Sequence, residues 1–247
     1  MWTRVCTVLL AQILCMLTIG LAEDPKTSNA PAKDLQVGSL HVSKVLYLGN
    51  SITLHGPAPK IGWTLNCGMA ASVPEKDYVH LLTAKLAKVA GGEPQIMVKN
   101  IADFERQFET YDLEAGLKAE LAFEPQLVII AIGENVPALA TDEARSKYQA
   151  AFARLLGTLK KHGNPVIVAR SSFWADPAKD NGMQQASSEA GAVFLNIGDL
   201  GKNRENYATS EREFENAAVG NHPGDKGMQA IADALWTAIE KRAAVKP

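Results

Sequence analysis

Three short polar clusters in this 247-residue chain carry side-chain types that could together break an acyl bond. Gly49-Asn50-Ser51-Ile52-Thr53 offers a hydroxyl, Gly133-Glu134-Asn135 an amide beside a carboxylate, and Asn221-His222-Pro223-Gly224 an imidazole. A serine hydroxyl is a weak nucleophile until a base within hydrogen-bond reach takes its proton, and a neutral imidazole does this near pH 7. The oxyanion that forms next needs donors already in place. The Ser51 backbone N–H and the Asn135 side-chain amide are of the right kind. Taken singly, each residue has a plainer role: Ser51 caps a helix or closes a turn, Asn135 sits in a loop, and His222 lies on the surface before a proline. Everything turns on whether the chain brings them together.

The elements around these clusters predict that it does. Lys44–Leu48, Gln95–Val98, Gln126–Ile132, Pro165–Ala169 and Ala192–Ile197 are short apolar runs that read as strands. Between and after them, Val79, Leu82, Leu86 and Val89, then Tyr148, Phe152, Leu155 and Leu159, then Met228, Ile231, Leu235 and Ile239 recur at helical spacing, with a further helix expected between the fourth and fifth strands. Continuous rather than alternating apolar strands suit a parallel sheet covered on both faces. Strands alternating with helices point to right-handed βαβ units. The expectation is an α/β fold: a three-layer α/β/α domain with a roughly five-stranded parallel sheet. In such sheets ligands bind beyond the carboxyl ends of the strands, where the serine and asparagine clusters fall.

The N-terminus reads as a secretory signal over residues 1–22. Arg4 supplies the positive charge, Val8 to Leu21 the apolar stretch, and Gly20-Leu21-Ala22 the small residues before cleavage at Glu23. The apolar stretch is shorter than the ~20 residues of a membrane span, so no span is expected in the mature chain. Residues 23–41, rich in Pro, Ser, Ala, Lys and Asp up to about Gly38, read as a flexible linker to a domain over 42–247. Cleavage removes Cys6 and Cys15 and leaves Cys67 alone, so no internal disulfide is expected in a secreted or periplasmic protein.

Other chemistries lack their residues. A net charge of −2 without a basic tract gives no reason to expect nucleic acid. His41, His55, His80, His162 and His222 form no pair at ligand spacing, and the phosphate-loop, dinucleotide and G-x-S-x-G patterns are absent, so neither a metal nor a cofactor is expected.

Tyr47-Leu48-Gly49-Asn50-Ser51-Ile52-Thr53 resembles the nucleophile motif of the SGNH, or GDSL-type, hydrolase superfamily. Ile132-Gly133-Glu134-Asn135 resembles its Gly-x-Asn motif, and His222-Pro223 the end of its Asp-x-x-His motif; the resemblance runs from about Val42 to Arg242. It implies a flavodoxin-like sheet and metal-free esterase, lipase or carbohydrate-deacetylase activity. Ser51 would be the nucleophile, His222 the general base and Asn135 an oxyanion donor. The implied partner is a small-molecule or polysaccharide ester, such as an acetyl ester on a carbohydrate. The oligomeric state is left open.

Three positions depart from that pattern. Asn50 replaces the usual Asp, a mild change since either side chain can bond the turn. Glu105, counted along Asn100-Ile101-Ala102-Asp103-Phe104-Glu105-Arg106, falls where the family has a glycine lending an N–H to the oxyanion hole, and its side chain would crowd the site or demand another loop. Val219 stands where the acid before His222 belongs. Losing such an acid can cost ~10⁴ in turnover. A Ser-His dyad steadied by a backbone carbonyl, or Glu134 acting as the acid from another loop, would compensate; Asp225 is better read as capping the last helix. The competing expectation is a carbohydrate-binding protein on a weakened or inactive hydrolase fold. The Gly- and Pro-rich segment 54–76 suggests a lid or substrate wall, with Trp63 either stacking on a sugar or covering the core.

Overall fold

The computed structural model describes residues 34–245; the expected signal peptide and the first part of the expected linker lie outside them. Folding begins earlier than composition suggests. β1 (Gln36–Val37) and β2 (Leu40–His41) pair antiparallel, and Leu35, Val37 and Leu40 are buried in the same core as the rest of the domain. The last part of the expected linker is therefore a hairpin, too short for periodicity to reveal it.

Next come β3 (Lys44–Gly49), α1 (Tyr78–Ala90), β4 (Gln95–Asn100), α2 (Ala102–Arg106), α3 (Leu113–Gly116), α4 (Lys118–Ala122) and β5 (Leu127–Ala131). After β5 the chain forms α5 (Asp142–Lys161), β6 (Val166–Arg170), α6 (Pro177–Glu189), β7 (Val193–Leu195), α7 (Ala217–Gly220) and α8 (Asp225–Ala243). Local chemistry sets several ends. Asp77 caps α1 by accepting the His80 N–H at 2.8 Å, and Thr141 caps α5 by accepting that of Ala144 at 3.1 Å. α6 opens on Asp176-Pro177, a cap followed by a residue that needs no N–H acceptor there.

Five strands make one parallel sheet in the order β4-β3-β5-β6-β7. Alternate side chains serve two cores. Val45, Tyr47, Leu127 and Ile129 pack with α1 and α8 on one face. Leu46, Leu48, Val128 and Ile130 pack with α5 and α6 on the other. Each such side chain, fully buried, contributes ~1.5–3 kcal/mol of transfer free energy, which is why β5 can be apolar at every position. This is the expected three-layer α/β/α architecture with the flavodoxin-like strand order. The order reverses between β3 and β5, and the crevice at that switch opens between the segments holding Ser51 and Asn135.

Candidate active site

β3 ends at Gly49, and the chain turns at once. The Asn50 carbonyl accepts the N–H groups of Thr53 and Leu54, each at 2.9 Å, while Asn50 Oδ1 accepts that of Ile52 at 3.2 Å. Only glycine can precede this turn, because a Cβ at Gly49 would lie 1.7 Å from Thr53 Oγ1. The turn lifts Ser51 out of the sheet, and its carbonyl accepts the Met69 N–H at 2.8 Å, tying the 54–76 segment alongside. The Ser51 N–H has no acceptor among the described residues.

His222 reaches Ser51 from between α7 and α8. Its Nε2 lies 2.9 Å from Ser51 Oγ, and its Nδ1 lies 2.8 Å from the Ala218 carbonyl. A carbonyl only accepts, so Nδ1 carries the proton and Nε2 offers its lone pair to the serine hydroxyl. The Ala218 carbonyl, four residues back across the single turn of α7, thus orients the ring. Val219 offers no carboxylate: its side chain is buried, and only its carbonyl meets His222, accepting the backbone N–H at 3.0 Å. Burial pushes the His222 pKa below its usual value, against contacts with Ala218 and the more distant Glu134 charge. The imidazole therefore favours its neutral form near pH 7, the form that general-base chemistry requires. Trp174, which sequence reasoning missed, packs edge-to-face on the imidazole at 5.8 Å.

Behind Asn135 lies a buried polar network. Glu105, with no exposed surface, is turned away from the cavity into the protein. Its Oε1 accepts the N–H groups of Gly133 at 2.6 Å and Asn135 at 3.1 Å, and its Oε2 accepts Asn135 Nδ2 at 2.8 Å. Asn50 Nδ2 donates to Glu105 Oε1 at 3.2 Å and to Glu134 Oε2 at 2.6 Å. Glu134 Oε1 accepts Arg170 Nη1 at 2.7 Å and the Phe173 N–H at 2.8 Å. Burial raises the Glu105 pKa, helped by the neighbouring Glu134 charge and opposed by its N–H donors. Burial is the strongest influence on Glu134 too and pushes its pKa up, but the Arg170 guanidinium and the hydrogen bonds from Phe173 and Asn50 together outweigh it and hold that carboxyl below its usual range. Two expectations change. Glu105 does not crowd the cavity, and Asn50 is not interchangeable with Asp, because its amide donates to two carboxylates where an aspartate would add a third.

Ser51, Asn135 and His222 line one cavity of about 520 Å³, together with Ile61 and Met69 of the 54–76 segment and Ala102 at the start of α2. Glu134 bonds Arg170, Phe173 and Asn50, while the His222 Nδ1 proton goes to Ala218. Asp225 does not cap α8, whose cap is Gly224; it accepts from Ser72 N, Ser72 Oγ and Lys76 Nζ at 2.7–2.9 Å. Trp63 is buried, and its indole donates to the His55 carbonyl at 3.0 Å, so it covers the core. Burial pushes the Cys67 thiol up to about 12, which leaves it un-ionised and inert as a nucleophile. Arg170 went unnoticed in the sequence, although a charge closing the apolar run Val166–Ala169 at a strand end was a signal. No group of three or more His, Cys, Asp or Glu side chains that could hold a metal occurs among the described residues, and no helix there is long and apolar enough to cross a membrane.

No protein-family model and no curated protein matches the sequence. Solved structures do match the fold. A family two carbohydrate esterase from Cellvibrio japonicus superposes with a TM-score of 0.51 at 16% identity, over 83% of this chain and 62% of the other. The chain thus spans less than two thirds of that esterase. A GDSL-like lipase from Bacteroides ovatus superposes with a TM-score of 0.52 at 14% identity, over 81% of this chain and 99% of its own. One from Bacteroides uniformis gives 0.51 at 13% identity, over 81% and 96%. From the reversal of strand order between β3 and β5 to the strand-end serine, the chain has the α/β/α fold of SGNH/GDSL-type hydrolases.

Proposed function

We propose that the protein is a serine esterase that hydrolyses a carboxylic ester through a Ser51–His222 dyad, with an acetyl ester on a carbohydrate as the substrate class. The observation that carries the proposal is the relay Ser51 Oγ to His222 Nε2 at 2.9 Å and His222 Nδ1 to the Ala218 carbonyl at 2.8 Å. Ser51 Oγ attacks the acyl carbon as its proton passes to His222 Nε2. The Ser51 N–H and the Asn135 amide take the oxyanion, each such donor being worth ~10²–10³ in turnover. Collapse expels the alcohol, which takes the proton from His222. Water, deprotonated by the same imidazole, then releases the acid and restores Ser51. A triad carboxylate fixes the tautomer and also stabilises the imidazolium. The Ala218 carbonyl does the first through its hydrogen bond and the second only with a partial charge.

The substrate class draws on the cavity's size and on likeness to carbohydrate esterases, and export draws on the pattern of residues 1–22. The test compares the protein with Ser51→Ala for p-nitrophenyl acetate hydrolysis and for fluorophosphonate labelling. Both activities should be present and both lost in the variant. If neither is seen in the unaltered protein, the esterase reading fails and the weakened-hydrolase, carbohydrate-binding alternative takes its place.

A further inference from the structure

Glu105 is the residue most at odds with its surroundings: a fully buried carboxylate with no cation bonded to it. Its partners explain why it is tolerated. All four hydrogen bonds come from N–H donors, two of them backbone, and they belong to the segments after β3 and β5 while Glu105 itself follows β4. Accepting in every one of these bonds, Glu105 has a directional effect on Asn135. An asparagine side chain is nearly symmetric in shape, and either its oxygen or its nitrogen fits most sites. Facing Glu105 Oε2 at 2.8 Å, only the nitrogen fits. Arg106 Nη2, 3.4 Å from Asn135 Oδ1, favours the same orientation. One N–H of the amide is thereby bound, and the second has no acceptor among the described residues, on a side chain that lines the cavity with Ser51 and His222.

We propose that Glu105 is a positioning residue that holds the Asn135 side chain with its amide nitrogen set toward the oxyanion, a role that rests on the esterase reading above. The same arrangement accounts for Asn50. With a carboxylate at 105 and another at 134, the residue between them must donate to both, and Asn50 Nδ2 does so. The two departures from the family pattern are then one adaptation.

The test is a double-mutant cycle on the full chain, with kcat and KM read on p-nitrophenyl acetate. In Glu105→Gln the side-chain oxygen can keep the backbone N–H groups, but its new NH₂ faces the Asn135 amide donor to donor and displaces it. Glu105→Gln should lower kcat about 10–10²-fold with KM nearly unchanged, and Asn135→Ala about 10²–10³-fold. Adding Glu105→Gln to Asn135→Ala should lower kcat no further than about twofold, because there is no longer an amide to position. A merely structural glutamate would multiply its loss onto that of Asn135→Ala, and that result overturns the proposal, as does an unchanged kcat in Glu105→Gln. If Glu105→Gln does not fold, Glu105→Asp, whose carboxylate falls one methylene short of Asn135, runs the same cycle under the same criterion. If Ser51→Ala and Asn135→Ala both leave kcat intact, the esterase reading itself has failed; if they abolish or lower it and Glu105→Gln does not, only the positioning role has.

Discussion

On one side of Ser51 the imidazole of His222 is held by a single backbone carbonyl; on the other, the Asn135 amide rests on two carboxylates, an arginine and a second asparagine. In a serine triad the buried acid stands behind the base. Here the buried charge stands behind the Asn135 corner of the cavity, and the His222 imidazole depends on the α7 turn that presents the Ala218 carbonyl. The contrast teaches that orientation and charge, usually supplied by one residue, are separable. A dipole suffices to choose a tautomer. A network of hydrogen-bond donors is needed where two carboxyl groups must share an interior with one guanidinium.

The comparison can be broken from either side. The largest loss should follow His222→Ala: turnover on p-nitrophenyl acetate falls about 10⁴–10⁶-fold while the melting temperature barely moves. The pH profile of the unaltered protein tests the same group. Only the neutral imidazole accepts the serine proton, and burial lowers its pKa, so the rate should rise with pH through a midpoint below 6.5 and then level. A midpoint above 6.5 would mean that a carboxylate pairs with the ring after all. On the other side, Arg170→Met should act chiefly on stability. It leaves the Glu134 carboxylate buried without its cation, at a cost of ~3–5 kcal/mol measurable as a lowered urea midpoint. A smaller effect is expected at α7, where the Asn216 side chain accepts the Ala218 N–H at 2.9 Å. Asn216→Ala should cost ~1 kcal/mol, and because α7 carries the carbonyl that orients the base, kcat should fall with it. Cys67→Ser should leave turnover where it was, and the native thiol should resist iodoacetamide at neutral pH.

How much of this the sequence discloses depends on the range of each interaction. β5 was legible because Leu127–Ala131 are buried on both faces and hence apolar without interruption. α8 was legible because Met228, Ile231, Leu235 and Ile239 fall on one face of a long helix. Ser51, Asn135 and His222 were legible because each follows or precedes such an element directly. The Ala218 carbonyl was not, since any residue there offers the same backbone atom. Neither was the direction of Glu105, which is set by donors from two other strand ends. Asn50 shows the same limit: its exchange for Asp looks mild in one turn and is severe once Glu105 and Glu134 are beside it.

The hairpin at the start of the domain has a practical consequence. Ser39 donates from its backbone N–H to the Ala243 carbonyl at 3.0 Å and from its hydroxyl to that of Val245 at 2.9 Å, which clasps the first folded segment to the end of α8. α8 starts beside His222 and runs 19 residues, about 28 Å, back along the sheet. Both ends of the folded domain therefore leave from the pole remote from the cavity. Coupling the folded domain to a resin, a bead or a fused module at either of these ends should present the mouth of the cavity outward, free to meet a polymer too large to diffuse.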